Sequence, residues 1–273
     1  MPRRLKIALA QMCSGISPAQ NLLRLGDFAL EARQNGARYL LTPEMSIAFG
    51  ESREQLMEIA CGFEKNPHLE AAAKIARENA LFVHLGSLAI ALEDGRFANR
   101  SVLIDPDGNI LDYYDKIHLF DADVAGDDAY RESDNYRAGS RAVLAKADDL
   151  NIGMSICYDV RFGKLYRHLA KMGAHMIAVP AAFTVPTGEA HWQVLLRARA
   201  IETGCYILAA AQGGAHENGR QTYGHSMVID PWGEVIAIKD DQEEGLVFAD
   251  LDFDKVSQAR GAIPCLANGA NFL

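Results

Sequence analysis

No stretch of the chain approaches the roughly 18 consecutive apolar residues that a membrane-spanning helix needs. The longest apolar run, around Leu81–Leu92, is broken by His84, Gly86 and Ser87. No membrane partner is expected. Paired cysteine motifs are missing as well. The five cysteines, Cys13, Cys61, Cys157, Cys205 and Cys265, are odd in number and show no CxxC or metal-ligand spacing. That pattern argues against a disulfide framework or a bound metal and suits free thiols in a reducing, cytoplasmic setting. Positive charge is in deficit, with 27 Lys and Arg against 36 Asp and Glu, a net of −9. An acidic surface disfavours nucleic acid as the main partner, though it leaves room for a local basic pocket. No Pro/Ser/Gly-rich linker divides the 273 residues, so one domain over residues 1–273 is expected. Met1–Arg4 is basic, but the apolar run after it is short, is broken by Lys6 and Gln11, and meets no small-residue cleavage site; no targeting segment is expected.

What is present is an alternation of strand and helix patterns. Leu5–Gln11 reads as a strand and Pro18–Asn35 as an amphipathic helix, with Ser17 before it and Gly36 after it. Tyr39–Leu41 is a short buried strand, Pro67–Asn79 a second helix and Leu81–Ala91 a long apolar strand. Arg100–Asp105 and Ile110–Tyr114 flank the turn Pro106-Asp107-Gly108, which has hairpin chemistry.

The second half echoes the first. Leu150–Cys157 matches Leu5–Cys13, and Met176–Val179 with Pro180 matches Tyr39–Leu41 with Pro43. The helix Trp192–Thr203 and strand Tyr206–Ala211 match Ala71–Asn79 and Leu81–Gly86. The hairpin at Ile229–Gly233 matches that at Ile104–Gly108. One echo is unremarkable in an α/β chain, but four in the same order point to a duplicated unit. Two such halves would stack sheet on sheet with helices outside: an α-β-β-α sandwich of two mixed sheets. Ligands of such sheets gather at the carboxyl ends of strands, where Glu44 and Cys157 both fall.

Cys157 ends an apolar strand, with a helix-like run, Arg161–Met172, just after it. A thiol on such a turn would be exposed, and the helix N-terminus would favour its thiolate. Most free cysteines are buried and inert, which is the alternative. Glu44, among Leu, Met and Phe, is expected to be desolvated, with its pKa raised toward neutrality for proton transfer. Lys116, between Tyr114 and Ile117, could hold charge developing on a tetrahedral intermediate. Glu132 follows a Gly/Asp-rich loop and could pair with Lys116. Each of these alone has an ordinary reading as a loop or edge charge; their force is joint.

Taken together, the segments LLTPEM, YDKIHLF, RES and ICYDVRF resemble, in order and spacing, the four motifs of the nitrilase, or carbon–nitrogen hydrolase, superfamily. The resemblance covers essentially the whole chain. It implies an α-β-β-α fold, a likeness to homodimers or higher homo-oligomers, and no metal or organic cofactor. It also implies roles: Glu44 as general base, Lys116 as oxyanion holder helped by the Tyr158 backbone N–H, Cys157 as nucleophile and Glu132 as the carboxylate that positions the lysine. The reaction implied is hydrolysis of a small acidic amide through a thioester, releasing ammonia and a carboxylate. The stretch Pro180–Gln212 and the later YGHSMVIDPWG are most similar to the deaminated glutathione amidase branch. ω-Amidases, N-carbamoyl amidases and nitrilases are the rivals inside the superfamily, and a catalytically silent binding protein is the rival outside it. Phe183 and Thr184 are placed to line the pocket. Arg161 could meet a substrate carboxylate or form an ion pair with Asp159 or a glutamate. His191 and Trp192 read as helix-start or packing residues. His225 reads as structural, a Cys157/His225 pair being discounted. The tail Gly261–Leu273, with Ile263, Leu266 and Phe272, could dock on its own subunit or across a dimer.

Overall fold

The computed structural model describes residues 4–50, 52–123, 130–148 and 150–270. Most of the Gly/Asp-rich loop before Glu132, and Phe272 of the tail, lie outside them.

The chain echoes have a topological counterpart. In the first six-stranded sheet the order is Gly245–Asp252, Arg4–Gln11, Tyr39–Leu41, Phe82–Ala91, Phe97–Ile104, Ile110–Asp115. In the second it is Leu144–Ala147, Leu150–Met154, Met176–Ala178, Tyr206–Ala209, Met227–Ile229, Val235–Ile238. Each sheet has three parallel strands in its middle, an antiparallel hairpin beyond the third, and an antiparallel edge strand before the first. The parallel strands are joined by helices, as such crossovers require. Two short two-stranded pieces lie outside these sheets.

Strand alternation assigns the layers. Ile7, Leu9, Tyr39, Leu41 and Leu103 point from the first sheet into a core shared with Ile152, Met154, Met176 and Leu208 of the second. Their neighbours Ala8, Ala10, Leu40 and Val102 point the other way, onto Leu25, Phe28, Leu69 and Ala76 of the helices Pro18–Gln34 and Pro67–Asn79. Helices Gly163–Met172 and Gln193–Thr203 bring Leu165, Leu169, Leu196 and Ala200 to the second sheet. The result is the expected four-layer α-β-β-α sandwich. Each fully buried Leu or Ile stabilises it by ~2 kcal/mol.

Some boundaries differ from the sequence reading. The strand before Cys157 ends at Met154, and a 3-10 turn, Cys157–Arg161, precedes the helix. A π-helical turn, Gly188–Trp192, leads into the next helix. The tail docks on its own subunit: Arg167 donates to Cys265 O and Leu266 O at 3.0 and 3.1 Å.

A histidine in the core carries a pH prediction. His84 is 1% exposed. Ser101 Oγ donates to Leu85 O, so it accepts from His84 Nε2; Nδ1 then accepts from the Tyr39 hydroxyl. The chain of donors leaves no place for a second ring proton, and burial lowers the His84 pKa from 6.5 to about 3. Above pH 6.5 the ring is neutral in both states and adds no pH dependence. Below it the unfolded chain takes up a proton that the folded ring cannot, so stability falls with pH down to about 3. The loss approaches about 5 kcal/mol. Denaturant melts of His84→Gln should show a shallower decline between pH 6.5 and 4 than the parent; equal slopes would refute the assignment.

Candidate active site

Glu44 sits in a turn beyond the Tyr39–Leu41 strand. The neighbouring strand bulges between Leu85 and Leu88 to receive it. Ser87 N donates to Pro43 O, Ser46 N to Ser87 O, and Met45 N to Ser87 Oγ. Gly86 makes that approach possible: a Cβ there would lie 2.0 Å from Thr42 O and 2.4 Å from Pro43 O. Met45 takes a positive φ of 54° to complete the turn.

Lys116 follows the Ile110–Asp115 strand, and its N–H donates to Asn99 O at 2.9 Å. Its Nζ reaches Glu44 Oε1 at 2.9 Å and Glu132 Oε1 and Oε2 at 3.1 and 2.8 Å. Asn99 Nδ2 donates to the same two carboxylates, at 2.9 Å to Glu44 and 3.0 Å to Glu132. Ala182 N donates to Glu44 Oε2 at 3.0 Å, and Phe120 N to Glu132 Oε2 at 2.7 Å. A buried carboxylate, Glu44, and a partly buried one, Glu132, thus share one ammonium and one amide.

Cys157 opens the 3-10 turn with a positive φ of 49°, a strained conformation for a side chain of this kind. Its N–H donates to Pro180 O at 2.8 Å and Asp159 N donates to Ile156 O; Tyr158 N makes no such bond among the described residues. Asp159, fully buried, anchors the turn by accepting from Ile156 N, Tyr114 Oη, His118 N and His118 Nδ1. Tyr114 and His118 flank Lys116 in sequence, so one carboxylate ties the segment bearing the lysine to the turn bearing the thiol.

The Cys157 thiol and the Glu44 carboxylate line the same cavity, and the charges of Glu44 and Lys116 both act on the thiol. The electrostatics correct the sequence expectations. Burial pushes the Glu44 pKa up, but the Lys116 ammonium outweighs it and holds the carboxyl below its ordinary value. Burial, then the Glu44 charge, pushes the Cys157 thiol well above its ordinary value. Against the opposing effect of burial, Glu132 and Glu44 hold the Lys116 ammonium well above its own. Nor is Cys157 exposed on its turn as expected: it is 8% exposed. The resting pair is a neutral thiol facing an ionised carboxylate. The thiol is not sealed off. It lines a cavity of ≈ 240 Å³ together with Glu44, Asn99, Lys116 and Glu132. A narrow cleft continues on the other side, past Tyr158, Arg161, Phe183 and Thr184. Such an arrangement can move a proton from sulfur to carboxylate while an ammonium meets the negative charge formed on a carbonyl oxygen.

All four residues expected to carry chemistry therefore meet, and the four expected pocket residues line the adjoining cleft. Arg161 is not paired with Asp159, whose oxygens are taken; its contacts are His191 Nδ1 at 3.3 Å and the Tyr158 and Phe183 rings. Trp192 is fully buried and donates to His225 O. His225 stacks on Tyr223 and is bonded to Tyr223 O, with no contact to Cys157. Asn99 and Asp159 were missed. Asp159 lies inside a quoted motif, but nothing local marks its four partners.

A family model described as Carbon-nitrogen hydrolase matches residues 6–261. The deaminated glutathione amidase of Synechocystis sp. (strain PCC 6803 / GT-S) is 40% identical over 264 residues, which is 95% of this chain and 96% of that protein. The crystal structure of the C. elegans NitFhit protein aligns with a TM-score of 0.88 and 34% identity, over 97% of this chain and 65% of that one. A mutant of the amidase from Nesterenkonia sp. AN1, solved after Michael addition of acrylamide at its active site cysteine, aligns with a TM-score of 0.79. The two are 26% identical, over 95% of this chain and 98% of that one.

Proposed function

The chain belongs to the carbon–nitrogen hydrolase family, and from that premise we propose that it hydrolyses a small acidic amide with Cys157 as nucleophile. The observation that carries this reading is one thiol opening onto the same cavity as a carboxylate and a buried ammonium that are paired at 2.9 Å. Glu44 takes the thiol proton as sulfur bonds to the carbonyl carbon. Lys116 and the Tyr158 N–H receive the oxyanion. Glu44 then passes its proton to the leaving nitrogen, the C–N bond breaks and a thioester remains. Water, deprotonated by Glu44, attacks the thioester; the C–S bond breaks and the carboxylic acid leaves. Glu132 keeps Lys116 in place throughout. Because Glu44 rests ionised and Cys157 rests protonated, the thiolate forms only as a substrate carbonyl arrives, which limits oxidation of the idle enzyme.

The substrate proposed is deaminated glutathione, on the strength of the 40% identity to a protein of that activity. Arg161, beside the thiol and outside any carboxylate pair, is suited to the carboxylate of the 2-oxo acid portion. Both amide nitrogens of deaminated glutathione are substituted, so its hydrolysis frees an amine; ammonia would come from a primary amide such as 2-oxoglutaramate. The test follows a newly freed amine from the first compound and ammonia from the second. Turnover of the first supports the assignment. Turnover of the second alone would move the chain to the ω-amidase reading, and turnover of neither would remove the substrate proposal.

Two further points belong to the same proposal. Self-association is supported by Val194 and Ile201 on one side of helix Gln193–Thr203 and by Trp232 and Ile263, all exposed apolar side chains; a monomer in sedimentation equilibrium would refute it. A reducing, cytoplasmic setting fits the five free cysteines; disulfides mapped in protein isolated with its thiols trapped would refute it.

A further inference from the structure

The Lys116 ammonium has no N–H to spare. It carries three, and three contacts use them: Glu44 Oε1 at 2.9 Å, and Glu132 Oε1 and Oε2 at 3.1 and 2.8 Å. The proposed chemistry asks the same ammonium to receive an oxyanion. One of those contacts must then be shared or given up. The two carboxylates would lose part of their anchor at the moment Glu44 handles the proton.

Asn99 covers that loss. It lies in the strand Phe97–Ile104 and is 1% exposed. Its Nδ2 donates to Glu44 Oε1 at 2.9 Å and to Glu132 Oε1 at 3.0 Å. Those are two oxygens that Lys116 Nζ also serves. The Asn99 carbonyl accepts from Lys116 N at 2.9 Å, so its backbone ties down the segment that bears the lysine. An ammonium on a flexible four-carbon stem can swing. A short amide with two N–H groups in one plane holds its direction.

The other end of the amide shows what the residue is kept for. Asn99 Oδ1 is buried and has no hydrogen-bond partner among the described residues. Turning the amide over would set that oxygen against two carboxylate oxygens, so the carboxylates fix its orientation. A buried acceptor left unpaired is costly. A side chain kept only for packing would not carry that cost, whereas here it accompanies two N–H bonds to the carboxylates.

We infer that Asn99 is a positioning residue for the reaction: it holds Glu44 and Glu132 in place while the Lys116 ammonium turns to the oxyanion. This rests on the amidase reading above and deepens it. Asn99 acts through the two carboxylates and not on the substrate.

The experiment compares wild type with Asn99→Leu, which removes both N–H groups, and Asn99→Ser, which keeps one hydroxyl donor. Two profiles are measured across pH: kcat and KM for an amide that wild type cleaves, and the rate of Cys157 alkylation by acrylamide, read by peptide mapping. In Asn99→Leu, kcat should fall about tenfold or more, the order of one hydrogen bond to a charged group, with KM near the parental value. The acid limb of both profiles should move toward neutral pH, because the bond from Asn99 is one of those that lower the Glu44 pKa. Asn99→Ser should fall between. The other charged or titratable groups around Glu44, namely Lys116, Glu132, Cys157 and Tyr136, with Arg131 and Arg220 lining the same cavity, are unchanged in these variants. The position of a limb does not depend on the folded fraction, so a less stable variant still reports. Limbs that stay at the parental pH while both rates drop, or a raised KM with kcat intact, overturn the inference and leave the amidase reading standing. A wild type that cleaves none of the proposed amides removes the substrate reading. The alkylation limb then decides the inference alone, upholding it by moving and overturning it by staying.

Discussion

Cys157→Ala should leave no amide turnover above background, while the protein melts within a few degrees of the parent. Alanine removes the only atom that can form the thioester, and nothing else in the cavity replaces it: Glu44 and Glu132 are held by Lys116 and Asn99. Without the covalent route, water would have to attack an amide directly, a barrier several kcal/mol higher. The structural cost is small, because losing one sulfur from a site that opens onto a cavity costs ~1 kcal/mol. Alanine also tolerates the positive φ at this position about as well as cysteine does. Cys157→Ser should retain only a trace, since the alcohol is far harder to ionise beside a carboxylate whose pKa is held low. Activity and melting temperature measured on the same preparation separate chemistry from folding. Near-normal turnover in Cys157→Ala, with a substrate that wild type cleaves, would remove the thioester mechanism. Labelling adds an independent reading: Cys157 should react with acrylamide faster than the other four cysteines, despite its raised pKa, because Glu44 can accept its proton.

The sequence disclosed the architecture through its repetition. A parallel strand, a helix and a Pro-terminated strand recur in both halves, and the two sheets share one strand order. What stayed hidden was non-local. Gly245–Asp252 pairs along the whole of Arg4–Gln11, a register set by packing rather than by either segment's own pattern. The electrostatics failed for a similar reason. The apolar neighbours of Glu44 correctly announce burial, but the charge that reverses the effect arrives from Lys116, 72 positions away. Asn99 sits in an ordinary strand, and only the assembled sheet shows that its amide bridges two carboxylates. Residue types and motif order were therefore legible, and the direction of each pKa was not.

Lys116→Ala should cost on the order of 10²–10³ in kcat/KM, from loss of the oxyanion donor alone. The structure adds a second consequence that a donor on the surface would not have. Glu44 and Glu132 both accept from Asn99 Nδ2, so without the ammonium a buried carboxylate and a partly buried one are left with that shared amide and one backbone N–H each. Like charges that close do not both stay ionised, and one of the pair should take up a proton. The sign of the pH dependence then inverts. In wild type the depressed pKa of Glu44 gives stability that is present above its unfolded value and lost as pH falls through the folded one. In the variant a raised carboxyl pKa gives stability present below the unfolded value and lost as pH rises through the folded one. The destabilisation, about 3–5 kcal/mol near pH 7 for an uncompensated buried charge, should therefore shrink in mild acid, and the two melting curves should converge there. Residual turnover should also lose its plateau, because Glu44 as base would be protonated over a wider pH range. Lys116→Met keeps the volume while removing the charge, so it should reproduce both effects if charge is their cause. A Lys116→Ala protein with parental stability at every pH, or turnover within threefold of wild type, would mean that the ammonium neither balances the two carboxylates nor meets the oxyanion.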